Sequence, residues 1–233
     1  MSKTCAILQS NYIPWKGYFD LINSVDEFVI YDCVQYTTND WRNRNKIKTQ
    51  NGLQWLTIPI SSSFSQKDKI SEVVTSNNIW RKKHWNSLCT NYAKAPYFSM
   101  YKPLLNNLYN ESEESSLSKI NRAFIDAICK SLEIKTTISD SSKYVIEGDK
   151  NQRLINLCKQ TGANVYLSGP AAKSYLDEKE FEANGIAVRW MDYSDYPDYT
   201  QLHPPFEHYV SVLDLLFNAG PDSYKYMKSS HAC

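Results

Sequence analysis

The sequence predicts an α/β fold with a mainly parallel sheet, and three observations carry that prediction. Short apolar, strand-like runs alternate with segments of helical period. At least one such run, "NVYLSG" (164–169), is apolar enough to read as a buried strand. Helix boundaries are punctuated by caps and glycine stops where the period changes.

The first strand is expected at 4–9, followed by a helix at 17–24 and a second strand, "EFVIYD", at 27–32. In "NKIKTQNGLQWLTIPI", Asn51-Gly52 separates two strand-like runs and predicts an inserted β-hairpin. Residues 78–94 place Trp80, His84 and Leu88 on one helical face, with Pro96 as the stop. Leu117, Ile120, Phe124, Ile128 and Leu132 keep helical spacing as a buried stripe, so 78–132 forms a helical middle section. The acidic, serine-rich "ESEESSLS" (111–118) inside it reads as a linker. Asp149 with Gln152 forms a capping box for a helix that Gly162 stops. After the buried strand, Asp177 with Glu180 starts a short helix ending at Gly185. "IAVRWMDY" is a further strand, and "VSVLDLLFNAG" a last helix with Ser211 and Asp214 paired at its cap. No internal repeat divides the chain, and a single domain over 1–233 is expected.

The 233 residues are 42% hydrophobic and 22% charged, the composition of an ordinary globular protein. No apolar stretch approaches the ~20 residues of a membrane span, and the N-terminus lacks a signal-peptide core. Six dispersed cysteines (5, 33, 89, 129, 158 and 233) contain no C-x-x-C pair, which predicts reduced thiols, no zinc site and a cytoplasmic setting. A net charge of +1 announces no nucleic-acid partner. The 17 tyrosines and 6 tryptophans suit either a ligand-stacking cleft or an aromatic core.

Right-handed crossovers place all strand C-termini on one edge, where open α/β sheets bind ligands. Three turns at that edge are chemically loaded. After the first strand, Gln9 and Asn11 offer amides and Trp15 a stacking face; after the second come Asp32 and Gln35; after "NVYL" come Ser168, Gly169, Lys173 and Tyr175, the pattern of an anion-holding turn. Each also reads as an ordinary turn. Asp32 can accept sugar hydroxyls or a proton, or be a solvated strand end. Trp41, Arg42 and Arg44 lie close together on the hairpin approach; Arg44 suits bidentate capture of a phosphate or carboxylate, or a basic edge that discourages aggregation. His84, beside Lys83, points inward and is either a catalytic base or a satisfied core histidine. Walker A, G-x-G-x-x-G, H-E-x-x-H and G-x-S-x-G motifs are all absent.

The segments "QSNYIPWKGYFDLI", "DEFVIYDCVQYTTNDWRNRNKI", "WLTIPI", "KKHWNSLCTNYAKAPYF", "YLSGPAAKSYLDEKEFEANGIAV" and "DYPDYTQLHPPFEHYVSVLDLLFN" together resemble the WbqC-like protein family, in the family's order over nearly the whole chain. Ser10 stands where that family commonly has proline, and Cys33 where a second acid is common. The resemblance implies bacterial surface-polysaccharide (O-antigen) biosynthesis. A second likeness is to nucleotidylyltransferases, whose H-x-G-H turn "YIPWKGY" mimics with Tyr18 in a histidine's place. It implies a Rossmann-like sheet, with "LSGPAAK" at their late phosphate motif.

The expectation that follows is a cytoplasmic transferase placing an acyl or aminoacyl group on the amine of a nucleotide-linked amino sugar. A coenzyme A or acyl-carrier-protein thioester would be the donor, with no resident cofactor or metal. His84 or Asp32 would be the base. Gln9, Asn11 and the Ser168–Gly169 backbone would hold the oxyanion. Arg44 and Lys83 would bind phosphates, Trp15 or Trp41 would stack, and Tyr18, Gln35, Lys173 and Tyr175 complete the binding set. The alternatives are an ATP- or CTP-dependent nucleotidylyltransferase and a non-catalytic sugar-binding protein.

Overall fold

The computed structural model describes residues 2–65 and 67–229; Cys233 lies outside the described residues. Five parallel strands form the sheet: β1 (Thr4–Leu8), β2 (Glu27–Ile30), β5 (Thr137–Asp140), β6 (Val165–Ser168) and β7 (Ala187–Trp190). Their order is β5-β2-β1-β6-β7. The chain therefore builds outward from β1 on one side, then returns and builds outward on the other. That reversal puts a topological switch between β1 and β6, whose pairing sets Cys5 opposite Tyr166.

Inserted between β2 and β5 are the antiparallel hairpin β3 (Arg44–Thr49) and β4 (Gly52–Thr57), then α2 (Ile79–Tyr92), α3 (Phe98–Asn106) and α4 (Leu117–Ser131). The remaining helices are α1 (Lys16–Asn23), α5 (Lys150–Thr161), α6 (Glu178–Ala183) and α7 (Val212–Ala219). The two-residue period of β2 serves both faces of the sheet. Phe28 and Ile30 enter the larger core with α1, α4 and α7, while Val29 packs with Leu154, Ile155 and Phe181 beneath α5 and α6.

Local chemistry explains the boundaries. Asp149 accepts the Gln152 amide at 3.0 Å and Gly162 closes α5 at φ 74°, a left-handed position that costs glycine least. β2 ends at Ile30, earlier than its apolar run suggests, so Asp32 lies in the turn rather than on the strand. α2 ends four residues before Pro96, at Tyr92, and Leu132 lies past the end of α4, only half-buried.

Two sequence expectations are corrected. Residues 111–118 are no loose linker: a widened helical turn runs through Glu111, and Thr75 N–H to Ser115 O (2.9 Å) and Leu117 N–H to Val73 O (2.9 Å) pin the rest. The Asp214 side chain does not pair with Ser211, which only its backbone N–H reaches (3.0 Å to Ser211 O). Ser211 caps α7 through the Leu213 amide, while the buried Asp214 carboxylate accepts the Tyr92 and Tyr199 hydroxyls, each at 2.8 Å, and the Gln201 amide at 3.0 Å. Burial raises the Asp214 pKa, and those three donors oppose the rise.

Candidate functional site

A crevice of about 640 Å³ opens at the switch, outside the carboxyl ends of β1 and β6. Gln9 follows β1, Ser168 ends β6 and Gly169 follows it; all three line the crevice, as do Gln35 and Tyr175. Five residues chosen from separate turns of the sequence therefore meet in one place. The rest of the wall was not foreseen. Lys67 and Lys69 approach from the loop before α2, and Lys150 and Arg153 from the first turn of α5, one helical turn apart on one face. Among the described residues, no aspartate or glutamate lines the crevice. Asp149 already occupies the α5 cap, so the attraction for an anion rests on the side chains of Lys150 and Arg153. Arg153 Nε donates to Gly148 O at 2.8 Å, and its guanidinium lies against the Tyr31 hydroxyl. Tyr31, Tyr166 and Tyr175 also line it; Tyr31 and Tyr166 are buried, Tyr166 stacked on Phe181, and Tyr175 is exposed.

Arg42 organises the mouth. Its guanidinium donates to Asn11 Oδ1 and, at 3.2 Å, to Gln9 Oε1. A guanidinium has no acceptor, so both amide oxygens must turn toward it and both NH₂ groups away. Gln9 thus keeps a donor at the crevice, and Asn11 acts on the loop through Arg42. Tyr18 is a positioning residue as well, its buried hydroxyl donating to Gln9 O at 3.0 Å.

Trp15 and Lys173 stand outside the crevice lining. Trp15 packs against Tyr193, Tyr196 and Tyr209 with ring centroids 5.2–5.8 Å apart. It also lies over Gly17, where a Cβ would fall 2.3 Å from the indole. Lys173 Nζ lies 5.4 Å over the Trp190 ring. On the hairpin, Arg44 donates to Asn39 O and stacks 4.4 Å from the Trp55 ring, with Trp41 on the same indole at 5.6 Å. Lys83 lines a separate groove between β4 and α2. Neither Arg44 nor Lys83 reaches the switch crevice.

Both candidate bases are engaged elsewhere. His84 is 6% exposed and packs among Tyr12, Trp80 and Tyr109. Its Nδ1 accepts from the Tyr12 hydroxyl at 2.9 Å, which accepts in turn from Tyr109 at 2.6 Å. The other ring nitrogen donates to the Thr57 carbonyl. Burial pulls the imidazole down to about 4, so it is neutral at physiological pH with both nitrogens occupied. Asp32 accepts the Ser10 amide (2.8 Å), the Ser10 hydroxyl (2.6 Å) and the Ser118 hydroxyl. It borders a smaller, serine-rich cavity of about 350 Å³ on the other side of the β2 turn, and Cys33 lines both spaces.

The sequence model of the WbqC-like protein family matches residues 9–226. This chain belongs to the WbqC-like protein family. It is also 48% identical over 226 residues to Rv1507c of Mycobacterium tuberculosis, described as an uncharacterized protein, covering 97% of this chain and 98% of that one. No solved structure matches it. The family match spans Gln9, Arg42, the four crevice cations and Ser168, so all of the crevice lining except Ile7 and Leu8 lies in the WbqC-like region. No described helix is long and apolar enough to cross a membrane.

Proposed function

We propose that this WbqC-like protein is a cytoplasmic enzyme of surface-polysaccharide biosynthesis that binds a nucleotide-linked amino sugar in the switch crevice and acylates its amine. The observation that carries the reading is the crevice wall: four cations, three tyrosines and, among the described residues, no carboxylate side chain, at the place where α/β sheets take nucleotides. A diphosphate suits Lys67, Lys69, Lys150 and Arg153, with Arg153 the bidentate partner. The exposed Tyr175 ring suits a base or a pyranose ring.

The same charge favours the chemistry. An amine attacks only when neutral, and surrounding cations disfavour its ammonium form. Its nitrogen adds to the thioester carbonyl, the C–N bond forms, the C–S bond breaks, and the departing thiolate carries off the proton the amine loses. The crevice then needs no dedicated base, consistent with His84 and Asp32 being engaged elsewhere. The Gln9 NH₂ and the backbone after Ser168 are the donors nearest the strand ends for the developing oxyanion.

A thermal-shift panel tests this: amino-sugar nucleotides, the same nucleotides without the amine, ATP or CTP with magnesium, and coenzyme A thioesters. A ligand at ~100 times its dissociation constant adds about 2.7 kcal/mol. Stabilisation by amino-sugar nucleotides, lost in Arg153→Glu, followed by acylation of the amine supports the proposal. Response to ATP or CTP alone, with pyrophosphate release, replaces it with nucleotidyl transfer; sugar-nucleotide binding without turnover of any thioester replaces it with a binding role.

A further inference from the structure

Charge is distributed very unevenly along the chain. Residues 41–110 hold eleven lysines and arginines against two carboxylates, Asp68 and Glu72, while the remainder holds fifteen against twenty-three. A net charge near zero thus hides a strongly basic insertion on an acidic body. In the fold that insertion is the hairpin with α2 and α3, and it is one packed unit. Lys48 N–H donates to the Tyr92 hydroxyl at 2.9 Å, Gln54 to Ser87 at 3.3 Å, and His84 to the Thr57 carbonyl.

Between β4 and α2 runs an open groove of about 750 Å³, with Trp55, Pro59, Ile79 and Lys83 in its wall and, among the described residues, no aspartate or glutamate. Large apolar side chains stand out around it: Leu53 and Trp55 are each 42% exposed and Ile79 63%, with Trp41, also 42%, beside Trp55. Cations are interleaved with them. Arg44 lies 4.4 Å and Lys46 5.0 Å from the Trp55 ring, and Lys82 and Lys83 project from the exposed face of α2. Tryptophan and arginine at the centre of an apolar patch are the residues that anchor protein interfaces. Exposed apolar groups on this scale are also unneeded by a surface that only repels or solvates.

We infer that the groove between β4 and α2 docks an acidic partner protein, a carrier that delivers the acyl group as a thioester. This rests on the acyl-transfer reading above and names its donor. Charge complementarity selects the occupant: Lys83 in the wall, with Arg44 and Lys46 against Trp55 and Lys82 on the neighbouring face of α2, steers and holds an acidic surface, while Trp55 and Ile79, with Leu53 beside the groove, supply the apolar contact. A single-stranded nucleic acid fits less well. Trp55 is already in contact with Arg44, Lys46 and Trp41, which crowd its ring against stacking by a base. The assignment also explains why Arg44 and Lys83, which suit phosphate, lie away from the crevice. They serve the second substrate's carrier and not the first substrate's phosphates.

The test measures binding of a purified, acidic holo acyl carrier protein to the full chain at low and at physiological salt. Binding is expected, weakening as salt rises. The double variant Lys46→Glu/Lys83→Glu should weaken it at least tenfold, and Trp55→Ala several-fold, with sugar-nucleotide stabilisation unchanged in both. Lys150→Glu/Arg153→Glu should do the reverse. No carrier binding at 100 times a micromolar concentration, or binding that ignores Lys46 and Lys83, overturns the docking proposal. So does tighter, charge-reversal-sensitive binding of RNA or of anionic phosphatidylglycerol vesicles. If sugar nucleotides still stabilise the chain in that event, the acyl-transfer reading survives with a free coenzyme A thioester as donor. If the carrier binds and sugar nucleotides do not, the crevice assignment fails on its own.

Discussion

Two groups of reactive-looking side chains lie near the carboxyl edge of this sheet, and they differ in where their valences go. On the α2 and α4 side, His84 and Asp32 are buried and fully partnered: His84 by Tyr12 and Thr57, Asp32 by Ser10 and Ser118. On the α5 side, Lys67 and Lys150 face open space and form no ion pair among the described residues, beside Arg153 and the Gln9 amide. The first group holds loops in place. The second is left able to hold a ligand. Titratable chemistry alone does not mark a site; chemistry with unused hydrogen-bonding capacity in a cavity does.

The largest expected effect breaks the second group. Lys150→Glu/Arg153→Glu removes two charge-assisted contacts of about 1.5–3 kcal/mol each and adds repulsion. Affinity for the sugar nucleotide should fall roughly 100-fold or more by titration calorimetry. Both side chains are exposed, so the unfolding free energy should change by only about 0.5 kcal/mol. A variant that unfolds while binding normally would invert the comparison.

His84→Ala probes the first group and should show the opposite pattern. It leaves a cavity and strips the Tyr12–Tyr109 hydroxyl chain of its acceptor, costing about 2–4 kcal/mol in denaturant unfolding with ligand affinity unchanged. The pH dependence has a definite sign. The unfolded imidazole takes a proton near 6.5 and the folded one near 4. Stability from this residue is therefore complete above 6.5 and falls by about 1.4 kcal/mol per pH unit between those values. The variant should lose that slope. Loss of turnover at full stability would instead restore His84 as a catalytic group.

Much of this was legible in the sequence, and what was not has physical causes. Alternating apolar periods sufficed for the parallel sheet, the hairpin and the crevice's position, because strand C-termini must share an edge. Gln9, Gln35, Ser168, Gly169 and Tyr175 were found because they end a strand or lie within seven residues of a strand's end. Lys150 and Arg153 were missed because they follow β5 by about ten residues. Yet the first turn of a crossover helix lies at the same edge as the strand end before it, and that signal was available. Arg42 and Arg44 are indistinguishable by composition: two residues apart, one turns to the Gln9 loop and the other to the outer face of the hairpin. Ser10 was read as a departure from a usual proline, though proline would supply neither of the two donors that Asp32 accepts there.

Gly17→Ala sharpens the contrast between scaffold and rim. A Cβ would meet Trp15 atoms at 2.3, 2.6 and 2.7 Å, and the indole is held by three tyrosines, so it cannot swing freely. Overpacking of this kind costs about 1–3 kcal/mol, read as a lowered melting temperature. An unchanged melting temperature would mean Trp15 is a movable lid and not part of the frame.

Gly169→Ala should have the smallest effect on folding. Its φ of −72° suits any residue, and the nearest atoms to a new Cβ, on Tyr193, are 3.6 and 3.7 Å away, ordinary contact distances. Stability should stay within about 0.5 kcal/mol. The residue nonetheless lines the crevice beside Ser168, so an added methyl group stiffens and fills the turn whose backbone a ligand's polar atoms would approach. Sugar-nucleotide affinity should therefore fall several-fold while the melting temperature stands. If affinity is untouched as well, ligand phosphates are held from the Lys150–Arg153 side alone, and the turn after β6 is structural in the same sense as His84.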